Sequence, residues 1–121
     1  MKMFVMSAAI LAAIASAASA QTVEPTYKGD PAVYKIIFED ANFRVIESVR
    51  PKGVKDKFHS HPLPSVVYNA TDCKTKLYET DGKTRDAINK AGTANASPIT
   101  ASHSAENIGD SDCKQIFVEK K

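Results

Sequence analysis

From residue 33 onward the chain sustains no helical period of apolar residues, and instead breaks into short runs of β-branched and aromatic residues divided by turn signals. Periodicity is the main sequence signal of secondary structure, and runs of this length bounded by Gly, Pro, Asn and Asp read as strands. Val33 to Phe38 is the first. A turn at Glu39-Asp40-Ala41-Asn42 leads into Phe43 to Val49, which Pro51 and Gly53 end. Ser65 to Ala70 follows. Lys74 to Thr80 and Lys83 to Ile88 flank Asp81-Gly82, a strong hairpin signal because the turn needs a residue that tolerates positive φ. Ile99 to Asn107 and Cys113 to Glu119 are the last two, joined at Ile108-Gly109-Asp110-Ser111. Ala87 to Ala96 is rich in alanine, but Gly92 and the neighbouring Thr and Asn residues speak against a helix. Spaced short strands of this kind predict an all-β sandwich or barrel.

The first twenty residues stand apart. Lys2 precedes an apolar run from Met3 to Ile14 interrupted only by Ser7, and Ala18-Ser19-Ala20 has the small-x-small form of a cleavage site. That is the pattern of a secretory signal peptide over residues 1–20, and the run is short for a membrane span, which needs about 20 apolar residues. Export to the periplasm or the medium is therefore expected, with no membrane attachment after cleavage. The mature part would hold 121 − 20 = 101 residues, enough for one domain with a modest core. Residues 21–32, polar and punctuated by Pro25, Gly29 and Pro31, are expected as a flexible leader to a domain over 33–121. One of the 16 basic residues lies in the signal, which leaves 15 against 14 acidic ones, a net charge near +1. Such a balance gives no basis for a nucleic-acid partner, which needs clustered basic residues. Two cysteines, Cys73 and Cys113, cannot build a zinc ribbon, and in an oxidising compartment they favour pairing.

The three histidines carry the chemical signal. His59 and His61 stand two residues apart, so on an extended strand both imidazoles share one face. His103 lies on another expected strand about forty residues on. The punctuation around them is specific. Gly53, then five residues, then His59-Ser60-His61 is one segment; Gly92, then five residues, then Pro98, with His103 and Asn107 beyond it, is the other. This resembles the paired motifs of the cupin superfamily, Gly-x5-His-x-His and Gly-x5-Pro-x-Gly-x2-His-x3-Asn, and the likeness runs over about residues 33–119. The run Ser104 to Asp110 is similar to the end of the second motif in small bacterial single-domain cupins. The resemblance implies a jelly-roll β-barrel (a double-stranded β-helix) with His59, His61 and His103 as metal ligands inside it. In such a barrel the strands over Ser65–Ala70 and Cys113–Glu119 are antiparallel neighbours, which would bring Cys73 beside Cys113 for a disulfide; two buried, reduced thiols are the alternative.

The chain also departs from the family pattern. The first motif usually continues with a Glu three or four residues after its second His, where this sequence has Ser65 and Val66. Glu106 does not replace it, since its parity on the strand is opposite to that of His103. Three neutral imidazoles would then form the protein ligand set, a composition that suits Zn, Fe, Cu or Ni. Chemistry that depends on the missing Glu is not expected. Thr100 stands where the family has Gly, and Thr93 to Ser97 is small and polar where relatives commonly carry bulky apolar residues, which implies either a looser strand or a wider cavity beside the metal. Tyr68 and Tyr78 are candidates to line that cavity. Asn107 would either brace the site or open the turn after it. The functional expectation is an exported metal-binding cupin of unassigned activity that takes a small organic ligand, with a homodimer left open. The alternative is a metal-dependent enzyme, dioxygenase-like or isomerase-like, acting on a small organic substrate.

Overall fold

A computed structural model describes residues 23–121, so the signal peptide expected over residues 1–20 lies outside the described residues. A single turn of helix, α1 (Thr26–Gly29), precedes the strands β1 (Tyr34–Glu39), β2 (Phe43–Arg50), β3 (His59–His61), β4 (Ser65–Asn69) and β5 (Cys73–Glu79). Then come β6 (Thr84–Asn89), β7 (Ala94–Ser97), β8 (Thr100–Asn107) and β9 (Cys113–Lys120). They form two antiparallel sheets, one ordered β1-β2-β9-β4-β7 and the other β3-β8-β5-β6. This is the expected all-β jelly-roll barrel.

Alternation places one face of each strand inside. On β4, Ser65, Val67 and Asn69 are buried while Val66 and Tyr68 are exposed; on β9, Cys113, Gln115, Phe117 and Glu119 point inward. The apolar core is small. Val33, Tyr34, Ile46, Val67 and Phe117 form it, while Asn69, Gln115, Thr75, Ser48 and Arg50 occupy other interior positions. Polar side chains inside the barrel contribute less burial energy than aliphatic ones, so covalent cross-linking matters more here.

Cys73 and Cys113 supply that cross-link, with their Cα atoms 5.1 Å apart. The register of β4 against β9, from Ser65↔Glu119 to Asn69↔Gln115, sets it up by carrying the chain past Asn69 towards the start of β9. Since β5 and β9 lie in different sheets, the bond ties the two layers of the barrel together. It closes a segment of 40 residues, for which the chain-entropy model gives about 4 kcal/mol at most. Replacing both cysteines with alanine is expected to destabilise the protein by about 2–4 kcal/mol and to lower Tm by more than about 10 °C. Thermal unfolding of the variant against the oxidised wild type measures this, and an unchanged Tm would contradict it.

Two segments differ from the sequence expectation. Residues 21–32 were expected as a flexible leader, yet the described part of them, from Val23, makes hydrogen bonds to the fold. Ser60 donates its backbone N–H to Glu24 O and its hydroxyl to Val23 O, both at 2.9 Å, and Lys57 N–H donates to the Asp30 carboxylate at 3.0 Å. β3 is an edge strand, and an uncovered edge leaves backbone groups unpaired; this segment covers it. The other is β7, whose alanines, Asn and Ser have low strand propensity. It is a strand because β4 holds it, from Ser65↔Ser97 to Tyr68↔Ala94.

Candidate metal centre

Gly53, at φ +79°, makes the turn that follows β2 and starts the path to β3, a conformation that costs a side-chain-bearing residue and suits glycine. β3 then pairs with β8, His59 opposite His103. Beyond that pair the register shifts, so that His61 faces Thr100. An extra residue on one strand of a ladder bends it and re-aims side chains, and here the irregularity lies between the two histidines of β3. The outcome is a triangle of imidazoles with ring centroids 4.8–5.0 Å apart. His59 Nε2 lies 3.2 Å from His61 Nε2, which lies 3.0 Å from His103 Nε2.

These contacts fit a shared metal better than hydrogen bonding. His59 Nδ1 is 2.8 Å from Lys57 O; a carbonyl only accepts, so Nδ1 carries the proton and the Nε2 lone pair faces the other rings. Three converging Nε2 atoms cannot all be satisfied by protons shared among them. Four- or six-coordinate bonds of about 2.0–2.1 Å place neighbouring donor atoms about 3.0–3.4 Å apart, which is the spacing seen here. Burial lowers the pKa of all three rings. His61 falls to about 3, with the neighbouring His59 and His103 adding to the effect, and His103 falls to about 4. His59 is lowered as well, with Asp56 partly opposing. All three are therefore neutral near pH 7, the form that ligates metals. The His61 ring lies 5.5 Å from that of Phe117 at an interplanar angle of 23°, which fixes its orientation.

Behind the histidines lies a buried polar network that the sequence reading did not find. Asp56 Oδ2 accepts from Tyr34 OH at 2.7 Å, from Arg50 Nη2 at 2.8 Å and from Arg50 Nε at 3.2 Å. Its Oδ1 accepts the Ala105 backbone N–H at 2.7 Å and lies 3.7 Å from His59 Nδ1. Arg50 Nη2 also donates to the Tyr34 oxygen at 2.8 Å, and that oxygen is 3.5 Å from His59 Nε2. Burial, reinforced by Asp56, raises the Tyr34 pKa, so its hydroxyl keeps its proton. A trace of this was available in β2: Ile46, Ser48 and Arg50 share one parity, and Ile46 must face the core. Asp56 sits in an irregular segment and left no such trace.

A cavity of about 350 Å³ opens beside His61 and His103, and Ala96 and Ser97 of β7 form part of its wall. The other expected lining residues are corrected. Val67 and Leu77 line the cavity, so their neighbours Tyr68 and Tyr78 point outward by strand alternation. Tyr68 is exposed, and Tyr78 donates to Glu106 on the outer surface at 2.8 Å. Asn107 shares the face of His103, but four residues along a strand is about 13 Å. It donates to Arg50 O at 2.9 Å and Ser111 O at 2.8 Å, and accepts from Gly109 N–H at 3.0 Å, which makes it the anchor of the β8–β9 turn.

No protein-family model matches this chain, and no curated protein matches it. Solved structures do. A cupin domain from Bordetella pertussis has 20% identity and a TM-score of 0.68, covering 81% of this chain and 96% of its own. A cupin family protein with a double-stranded β-helix fold from Methanocaldococcus jannaschii has 15% identity and a TM-score of 0.58, over 73% of this chain and 78% of its own. An uncharacterised double-stranded β-helix protein from Klebsiella pneumoniae has 17% identity and a TM-score of 0.57, over 82% and 83%. At these identities the likeness shows the fold alone, and it agrees with the strand order described above: this chain has the cupin, double-stranded β-helix fold.

Proposed function

We propose that this is an exported metal-binding protein in which His59, His61 and His103 hold one divalent transition metal, Zn, Fe, Cu or Ni, beside a cavity that takes a small organic ligand. The observation that carries the reading is the convergence of three buried Nε2 atoms at 3.0 and 3.2 Å. Export is supported by the signal-like residues 1–20 and by the disulfide, a bond that persists in oxidising compartments. A bound metal would supply Lewis acidity at the cavity wall. The chain's own part is to orient the donors through Lys57 O, Phe117 and the Asp56 network, and to keep the imidazoles unprotonated. The missing ligand Glu leaves the protein donors neutral, and Ser65 and Val66, where it would stand, are turned respectively into the barrel interior and out to solvent.

The second reading, a metal-dependent enzyme of dioxygenase-like or isomerase-like type, is favoured by the open cavity next to two of the three ligands. Metal analysis of the purified mature protein tests both readings. About one metal per chain is expected, and less than about a tenth after reloading with each of the four candidates would refute a metal site. Iron together with oxygen uptake on a panel of small thiols, diols or phenols would select the enzyme. Zinc with no turnover would select the binding protein.

A further inference from the structure

The end of the cavity away from the metal is polar without being charged. Thr75 on β5 and Gln115 on β9 line it, and both are at least nine-tenths buried. Each is the first inward residue after its half of the disulfide, Cys73 or Cys113, so the two flank the same inner end on facing sheets. Phe117, stacked on His61, lies two residues along β9 from Gln115, about 7 Å nearer the metal. A chain of carboxamides fixes which atom of Gln115 is free. Asn69 Nδ2 donates to the Thr93 carbonyl at 3.3 Å, and a carbonyl only accepts, so Asn69 Oδ1 is the atom turned towards Gln115. Gln115 Nε2 donates to it at 2.9 Å, which leaves Gln115 Oε1 without a partner in the protein. Thr75 Oγ1 has none either. Among the described residues, the buried polar side-chain atoms that are both unpaired and sealed from open space are Thr26 Oγ1, Ser48 Oγ, Ser65 Oγ and Arg50 Nη1. Gln115 Oε1 and Thr75 Oγ1 are not of that group: they are unpaired, and they reach the open space of the cavity that their residues line. Buried polar side chains nearly always have a hydrogen-bond partner, so two open ones at a cavity's inner end point to a partner that enters from the cavity.

We infer that the cavity binds a small neutral organic molecule carrying a hydroxyl group, an alcohol or a phenol, with the hydroxyl at the inner end walled by Gln115 and Thr75. Its O–H donates to Gln115 Oε1, its oxygen accepts from the Thr75 hydroxyl, and its hydrocarbon part lies against Val67, Leu77 and Phe117. The charges of the wall select a neutral ligand. Among the described residues no Asp or Glu lines the cavity, so an ammonium would find no counter-charge. The charge of Arg50 is met by Asp56, and Arg85 stands at the rim with 64% of its side chain exposed. A carboxylate at the inner end would turn its lone pairs on Gln115 Oε1, an atom that only accepts. The inference deepens the proposed function, resting on the cavity as a ligand site and not on the metal.

The test uses the chelator-treated mature protein with its disulfide intact, and three probes: phenol, anisole (the same ring with its O–H methylated) and benzoate. Calorimetric titration is expected to show phenol binding at least about tenfold more tightly than anisole, because anisole leaves a buried acceptor unpaired. Benzoate is expected to bind more weakly than phenol. The Gln115 side-chain amide resonances should shift with phenol well beyond any shift with anisole. Thr75→Val removes a hydroxyl that bonds nothing in the protein, so the variant should fold with a Tm no lower than that of the wild type. It should lose severalfold in phenol affinity and nothing in anisole affinity. Equal affinity for phenol and anisole, no binding of either, benzoate binding as tightly as phenol, equal shifts at Gln115, or full phenol affinity in Thr75→Val would each overturn the inference. Failure of metal uptake with the phenol preference intact would remove the metal reading alone, and metal uptake without that preference would remove this one alone.

Discussion

His61→Ala is expected to abolish stoichiometric metal uptake, lowering affinity by more than about 100-fold, since even groups that merely orient metal ligands are worth about 10–100-fold. His61 is the apex of the triangle, with its Nε2 3.2 Å from that of His59 and 3.0 Å from that of His103. His59→Ala and His103→Ala should act similarly, because among the described residues no free carboxylate joins the cluster: Asp56, beside His59, is engaged by Arg50, Tyr34 and Ala105. Full metal occupancy in any one of the three variants would remove that residue from the ligand set. Acid provides a second readout. Free imidazole takes up a proton near pH 6.5, but burial holds His103 at about 4 and His61 at about 3. Protons therefore compete poorly for the lone pairs, and metal affinity should hold down to about pH 5 before it collapses. The metal-free protein should behave differently. Its unfolded state gains protons at these histidines as pH falls below about 6.5 while the folded state does not, so its stability should decline from there towards about pH 4. Metal affinity and apo-protein stability, each followed from pH 7.5 to 4, separate the two effects.

Asp56→Ala is expected to cost about 3–5 kcal/mol, the range for removing one partner of a buried ion pair. Asp56 and Arg50 are 4% and 2% exposed, so the guanidinium left behind has little access to solvent. The Ala105 N–H and the Tyr34 hydroxyl lose their acceptor at the same time. Against a typical total of about 5–15 kcal/mol, the variant should be marginal at room temperature. Urea denaturation of the metal-free protein measures it. The double variant Asp56→Ala/Arg50→Met, which deletes both charges, should be more stable than Asp56→Ala alone. If it is less stable, the damage comes from lost packing and not from an uncompensated charge.

What was legible in the sequence followed from local rules. The β5–β6 hairpin was visible because its turn needs a positive φ, and Gly82 has +86°. The histidines were visible because a spacing of two on a strand has one geometric meaning, and the motif punctuation added His103. The segments that escaped depend on partners distant in sequence. α1 is four residues long and carries no periodicity; it exists because β3 needs its edge covered. β7 is a strand because β4 lies next to it. Tyr68 and Tyr78 were misplaced for a simpler reason: large aromatic residues suggest a ligand wall, but parity with Val67 and Leu77 turns both outward. Arg50, Asp56 and Tyr34 come from β2, a loop and β1, and nothing local ties them into one network.

The place of β9 has a consequence for the timing of folding. It pairs along its whole length with β2, from Phe43↔Lys120 to Arg50↔Cys113, and on its other side with β4. The five-stranded sheet therefore has a gap at its centre until residue 120 has been synthesised, and the disulfide waits for the same strand. Pairings that span so much of the chain form late and slowly. A nascent chain of this topology therefore remains without its final structure until nearly all of it has been made.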